Sequence, residues 1–127
     1  MRRVVLLCAI GCATVLACFS ERGGGPGNIA GECRVPVSVI DSTHFIVAIR
    51  NFAFRPDSLH VPPGATVTWV DCEDIGQQPH TTTSASAVWS SPNLVSGDRY
   101  SHTFAAPGAF PYSCTIHPSM IAKIVVQ

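Results

Sequence analysis

Tyr112-Ser113-Cys114-Thr115-Ile116-His117-Pro118-Ser119-Met120 places a thiolate, an imidazole and a thioether along one short run, with two residues between each pair. A loop with that spacing can close around a single ion. An isolated cysteine is ordinarily a small buried hydrophobe and an isolated methionine a core filler. The three together read as ligands. Thiolate and thioether favour Cu(I), and imidazole suits copper. Zinc is the main competitor, but structural zinc sites use cysteine and histidine in paired spacings and do not recruit methionine.

A trigonal His2Cys site with a weak axial methionine is the arrangement of blue-copper electron-transfer centres, and it requires one more imidazole. His80 is the best placed upstream histidine, in Pro79-His80-Thr81-Thr82 just beyond a strand-like run that ends at Trp69-Val70. The expected metal ligands are therefore His80, Cys114, His117 and Met120, around one type 1 copper ion. His44, His60 and His102 lack ligand spacing. His60 alternates with Leu59 and Val61 and faces solvent, His44 opens a strand as polar surface, and His102 is structural or exposed.

Outward from this loop the chain has period two rather than 3.6. His44 to Ile49, Ser58 to Val61, Thr66 to Val70, Thr81 to Ser84, Arg99 to Phe104, Ala109 to Cys114 and Ile121 to Val126 read as strands, separated by Ser, Pro, Gly and Asn breakers such as Pro62-Pro63-Gly64. Beyond the leader no stretch has convincing amphipathic helical periodicity. Many short strands with frequent turns predict an all-β fold, an antiparallel Greek-key β-sandwich. Trp69 and Trp89 read as core and loop packing, and Asp71, Glu73 and Asp74 as a solvated acidic loop.

The chain resembles the cupredoxins, small blue-copper electron carriers such as plastocyanin, pseudoazurin and amicyanin, over roughly residues 43 to 127. The resemblance rests on Phe52-Ala53-Phe54-Arg55-Pro56, Val61-Pro62-Pro63-Gly64 followed by Val67-Thr68-Trp69, Pro79-His80-Thr81, Ser101-His102-Thr103-Phe104, Pro107-Gly108, and Tyr112-x-Cys114-x-x-His117-Pro118-x-Met120. The short ligand loop is most similar to that of amicyanin. Two features depart from the family pattern: the segment between Trp69 and His80 is a few residues longer and contains Cys72, and Ala122 stands where glycine is common. The resemblance implies a β-sandwich with both ligand loops at one end, and a backbone N–H of Thr81 donating to the Cys114 sulfur. It also implies His117 as the electron port, within a docking patch of Pro79, Ile116, Pro118 and Met120.

Ahead of the domain, Arg2-Arg3, Val4 to Leu16 and Ala17-Cys18 form a basic, then apolar, then small-residue series, the pattern of an export signal over residues 1–17. It accounts for much of the 46% apolar content. Val15-Leu16-Ala17-Cys18 is close to a bacterial lipobox, so Cys18 is a lipidation site and the first mature residue, or else ordinary cleavage occurs nearby. Residues 18–34, with Gly23-Gly24-Gly25-Pro26-Gly27, form a flexible linker or N-terminal extension, and residues 35–127 the cupredoxin domain. Loss of the signal removes Arg2 and Arg3, leaving six basic against eight acidic side chains; with no basic patch, nucleic-acid binding has no electrostatic support.

Cys8 and Cys12 leave with the signal, and Cys33 and Cys72 remain as a disulfide pair suited to an oxidising compartment, the alternative being two free thiols or a second soft-metal site. The functional expectation is an exported, periplasmic or membrane-tethered monomer that carries single electrons between transient redox partners and turns over no substrate. A copper-binding or delivery protein is the alternative, although such proteins usually offer open Met- or His-rich sites, and this chain has only Met1 and Met120.

Overall fold

The computed structural model describes Cys33 and residues 37 to 127. The expected signal, Cys18 and nearly all of the linker lie outside the described residues. Among the described residues every regular element is a strand: β1 (Val37–Asp41), β2 (His44–Ile49), β3 (Phe54–Arg55), β4 (Ser58–Val61), β5 (Ala65–Asp71), β6 (Thr83–Ser84), β7 (Arg99–Phe104), β8 (Gly108–Ser113) and β9 (Ile121–Val126). No helix among them is long and apolar enough to cross a membrane.

Two sheets form the sandwich. One runs β1-β2-β5-β7 with β3 on the end of β2, and the other runs β4-β9-β8-β6. Most neighbours are antiparallel, but β2 pairs with β5 in parallel, Phe45 opposite Val67 and Val47 opposite Trp69. Likewise β4 lies parallel to β9, Leu59 opposite Ile124. The sheets are therefore mixed. Strand periodicity reports which face is buried, not which distant strand lies alongside, so the two parallel pairings left no trace in the sequence.

The inward faces supply the core. Val47, Ile49, Val67 and Trp69 from one sheet meet Leu59, Val61, Tyr112, Ile124 and Val126 from the other. β5 alternates as expected, with Ala65, Val67 and Trp69 buried between half-exposed Thr66 and Thr68. Outward, Thr66 and Thr68 form hydroxyl pairs with Thr103 and Ser101 on β7. Trp69 stacks on Trp89 at 5.4 Å between ring centroids, and Trp89 stacks in turn on His102 at 5.4 Å. Burying one side chain of this kind contributes about 1.5–3 kcal/mol. Trp89 is thus a core residue carried by the long segment between β6 and β7.

The segment after β5 departs from expectation. Asp74 is exposed, but Asp71 and Glu73 are 1% and 8% accessible, not solvated. The chain is drawn inward there: the Cys72 N–H donates to Ile49 O, and Cys72 is disulfide-bonded to Cys33 with 5.5 Å between Cα atoms. The Glu73 N–H donates to Asp71 Oδ1 at 3.0 Å, and the Ser96 hydroxyl donates to Glu73 O at 2.7 Å.

Two predictions follow from this corner. The Cys33–Cys72 bridge spans 39 positions, and in the chain-entropy account a loop of that size stabilises by about 4 kcal/mol. Replacing both cysteines by serine is expected to lower unfolding free energy by about 2–4 kcal/mol in urea titration; an unchanged midpoint would show that the bridge restrains nothing in the unfolded chain.

The second concerns Asp71, whose carboxyl is pushed up to about 6, chiefly by burial and further by the charges of Glu73 and Asp98, against the opposing Glu73 N–H bond. A carboxyl raised in the folded state binds its proton more tightly there than in the unfolded chain, so its stabilising contribution is full below about pH 4 and is lost as pH rises through about 6. In the copper-free protein, Asp71→Asn should be more stable than wild type by roughly 2 kcal/mol at pH 7, and the difference should vanish near pH 4. Equal stability of the two proteins at pH 7 would mean that the ionised carboxylate is not held at a cost.

Candidate metal centre

β8 ends at Ser113, one residue before Cys114, and β9 begins at Ile121, one residue after Met120. The intervening loop is closed on itself: the Cys114 N–H donates to Met120 O at 3.0 Å and the Met120 N–H donates to His117 O at 2.9 Å. His80 lies on the segment between β5 and β6. It does not open a strand, since β6 contains only Thr83–Ser84; it forms an isolated antiparallel bridge with Leu94. The two backbone bonds of that bridge, 2.9 and 2.7 Å, fix His80 from both sides.

Cys114 Sγ lies 4.0 Å from His80 Nδ1 and 3.8 Å from His117 Nδ1, and the three ligand atoms lie within 4.8 Å of one another. An ion about 2 Å from each nitrogen and about 2.3 Å from sulfur in a trigonal plane would separate nitrogen and sulfur by about 3.8 Å. The two nitrogen–sulfur separations are thus those of donors around one metal ion. Cys114 is a free thiol and fully buried, His80 is fully buried, and Met120 is 3% accessible. His44, His60 and His102 lie outside this cluster, the only one of its kind among the described residues. His44 and His60 are exposed, beside Asp41 and Gln127 respectively.

Two contacts prepare the ligands. The Thr81 N–H donates to Cys114 Sγ at 3.3 Å, the bond that the family resemblance implied. The Thr81 hydroxyl also accepts from the Thr115 N–H at 2.9 Å, so the His80 segment and the Cys114 loop are tied directly.

On the far side of His80, Glu73 Oε1 lies 3.4 Å from Nε2. The contact falls outside hydrogen-bond geometry and leaves Nε2 without a formal partner, so its effect is electrostatic. Burial holds His80 below the usual imidazole range; the Glu73 charge acts against that, and His117 adds to it. A neutral ring beside a carboxylate favours the tautomer with its proton on Nε2, leaving Nδ1 free to ligate.

Glu73 and Phe52 are the residues that sequence reading missed. Nothing in the spacing distinguishes a carboxylate seven positions before a histidine from loop surface, and Phe52 entered only as part of a motif. The same Glu73 Oε1 accepts the Phe52 N–H at 2.7 Å. Asn51 and Phe52 have φ of 53° and 54°, a left-handed conformation that costs non-glycine residues roughly 1–2 kcal/mol each. The surface also differs from expectation. Met120 is buried and takes no part in it, whereas Phe52 is 45% and Ile116 38% exposed, with Pro118 exposed and His117 half-buried between elements.

Comparison with known proteins agrees with this geometry. The chain is 31% identical over 119 residues to amicyanin of Paracoccus denitrificans, covering 91% of each. Among solved structures, an oxidised amicyanin variant superposes with a TM-score of 0.61 at 31% identity, covering 70% of this chain and 87% of that one. A purple cupredoxin from Nitrosopumilus maritimus gives a TM-score of 0.59 at 27% identity, over 65% of this chain and 98% of its own. Residues 42–127 match the model of the copper binding proteins of the plastocyanin/azurin family. A buried cysteine sulfur gathered with two imidazoles is the arrangement found here in a chain that belongs to the plastocyanin/azurin family of copper binding proteins.

Proposed function

We propose that this protein is an exported one-electron carrier whose copper is held by His80, Cys114, His117 and Met120. The observation that carries the reading is the cluster of two Nδ1 atoms and the Cys114 sulfur, supported by the Thr81 N–H and by the Leu94 bridge of His80. Bound copper supplies a Cu(II)/Cu(I) couple, and similar structures include amicyanin in the reduced Cu(I) and the oxidised state. The chain's own part is to keep donor positions nearly the same in both states. His80 is fixed through its Leu94 bridge, Cys114 through the Thr81 N–H and Met120 O, and His117 through the Met120 N–H. Such a site has little to rearrange when the charge changes.

His117 is the port in this reading, because it is the ligand that reaches partial exposure, and it does so among Phe52, Ile116 and Pro118. A small apolar rim of this kind suits weak, transient encounters of a monomer with redox partners. The Cys33–Cys72 bridge supports an oxidising, extracytoplasmic location, and a lipid on Cys18 would tether the domain through residues 19–34. A donor set of one cysteine and two imidazoles, with Cys114 and His80 fully buried, favours carriage of electrons over delivery of copper.

The test is the visible spectrum of the copper-loaded protein through an oxidation–reduction cycle. An intense thiolate-to-copper band is expected in the oxidised form, bleaching on reduction, returning on reoxidation and absent in Cys114→Ser. Colourless copper binding, unaffected by Cys114→Ser, would replace the carrier with a copper-handling protein.

A further inference from the structure

Phe52 occupies an unusual place. Its ring lies 5.2 Å from that of His80 at an interplanar angle of 81°, and 5.0 Å from that of His117 at 89°. The two imidazoles are 4.9 Å apart and inclined at 49°. One phenyl ring therefore stands near-perpendicular to both imidazoles, in contact with each. The backbone that brings it there is held against its own preference: Asn51 and Phe52 are both left-handed, within a turn closed by reciprocal bonds between Arg50 and Ala53. Glu73 Oε1 captures the Phe52 N–H and faces His80 Nε2 with the same oxygen.

We propose that Phe52 is a positioning residue for the copper site, a wedge that fixes the ring planes of both histidines, with Glu73 as the clasp that keeps the wedge in place. The inference rests on the assignment of His80 and His117 as ligands. Aromatic rings prefer near-perpendicular contact because the positive edge of one meets the negative face of the other. Rotation of either imidazole would forfeit that contact and meet the phenyl ring. This matters most for His117, which lacks the burial and backbone bridge that hold His80, and whose exposed side would otherwise be free to swing toward solvent. At 45% exposure the Phe52 ring stands at the surface beside half-buried His117. Apolar bulk alone would shield the site but would not orient the rings, so the proposal separates an aromatic requirement from a volume requirement.

The experiment uses the full copper-loaded protein, with Phe52→Ala, Phe52→Leu, Phe52→Tyr and Glu73→Gln. The rate at which excess bathocuproine disulfonate extracts Cu(I) is measured beside the charge-transfer spectrum and copper hyperfine splitting of the oxidised form. Loss of support around a metal ligand commonly weakens metal binding 10- to 100-fold, so Phe52→Ala should release copper about tenfold faster or more, with altered hyperfine splitting. Phe52→Leu should release copper nearly as fast as Phe52→Ala, Phe52→Tyr should behave as wild type, and Glu73→Gln should fall between. In the copper-free wild type, nuclear Overhauser contacts should join the Phe52 ring to both imidazoles. Wild-type extraction and spectra in Phe52→Ala, or equality of Phe52→Leu with Phe52→Tyr, would overturn the wedge while leaving the copper assignment intact. A wild type without the charge-transfer band would instead overturn the assignment and the wedge with it.

Discussion

The site depends on Thr81 holding two strangers together. His80 and Cys114 are separated by 34 positions and come from segments that share only the short β6–β8 pairing, Thr83 opposite Ser113. Thr81 bridges them with its backbone N–H on the sulfur and its hydroxyl on the Thr115 N–H. A hydrogen bond of this kind contributes only about 1 kcal/mol net, yet breaking one in a buried site leaves a desolvated group without a partner and costs more. The Cys114 sulfur is fully buried, and its backbone donor is the residue next to His80 in the chain, so the same short segment brings both.

A second constraint runs through Glu73. Burying an ionisable side chain is unfavourable unless its surroundings answer the charge, and here the answer is a backbone N–H, with an imidazole edge beyond it. Support of this kind around a metal ligand shapes the site as much as the ligand itself. The carboxylate is available only because Cys72 is tied to Cys33 and to Ile49 O, which draws the following residue under the surface. The extra length between Trp69 and His80 is therefore accommodated outward, at exposed Asp74, Ile75 and Gly76, and not at the site.

Much of this was legible in the sequence, and the reasons are local. Cys114, His117 and Met120 declared themselves by residue type and spacing, and the strands by alternation, because both signals are carried by neighbours in the chain. Whether β2 lies beside β5, or β4 beside β9, depends on partners far apart and leaves no local mark. Glu73 failed for a related reason: a carboxylate in a polar loop looks the same whether it points to water or to a histidine. Met120 was expected on the surface patch and is buried, since nothing in a short loop says which side chains turn inward.

The position of β9 has a consequence for assembly. It is the last described strand in sequence, yet it sits inside its sheet, between β4 and β8, and binds β4 in parallel. Neither β4 nor β8 can complete its pairing until the residues after Met120 are in place. Folding must then wait for contacts between distant parts of the chain, the class of topology that forms slowly, and the ligand loop is closed only in the step that inserts this strand. The cage for a soft metal is therefore the last part of the molecule to close: its donors are drawn together by the same step that seats the final described strand between its two neighbours.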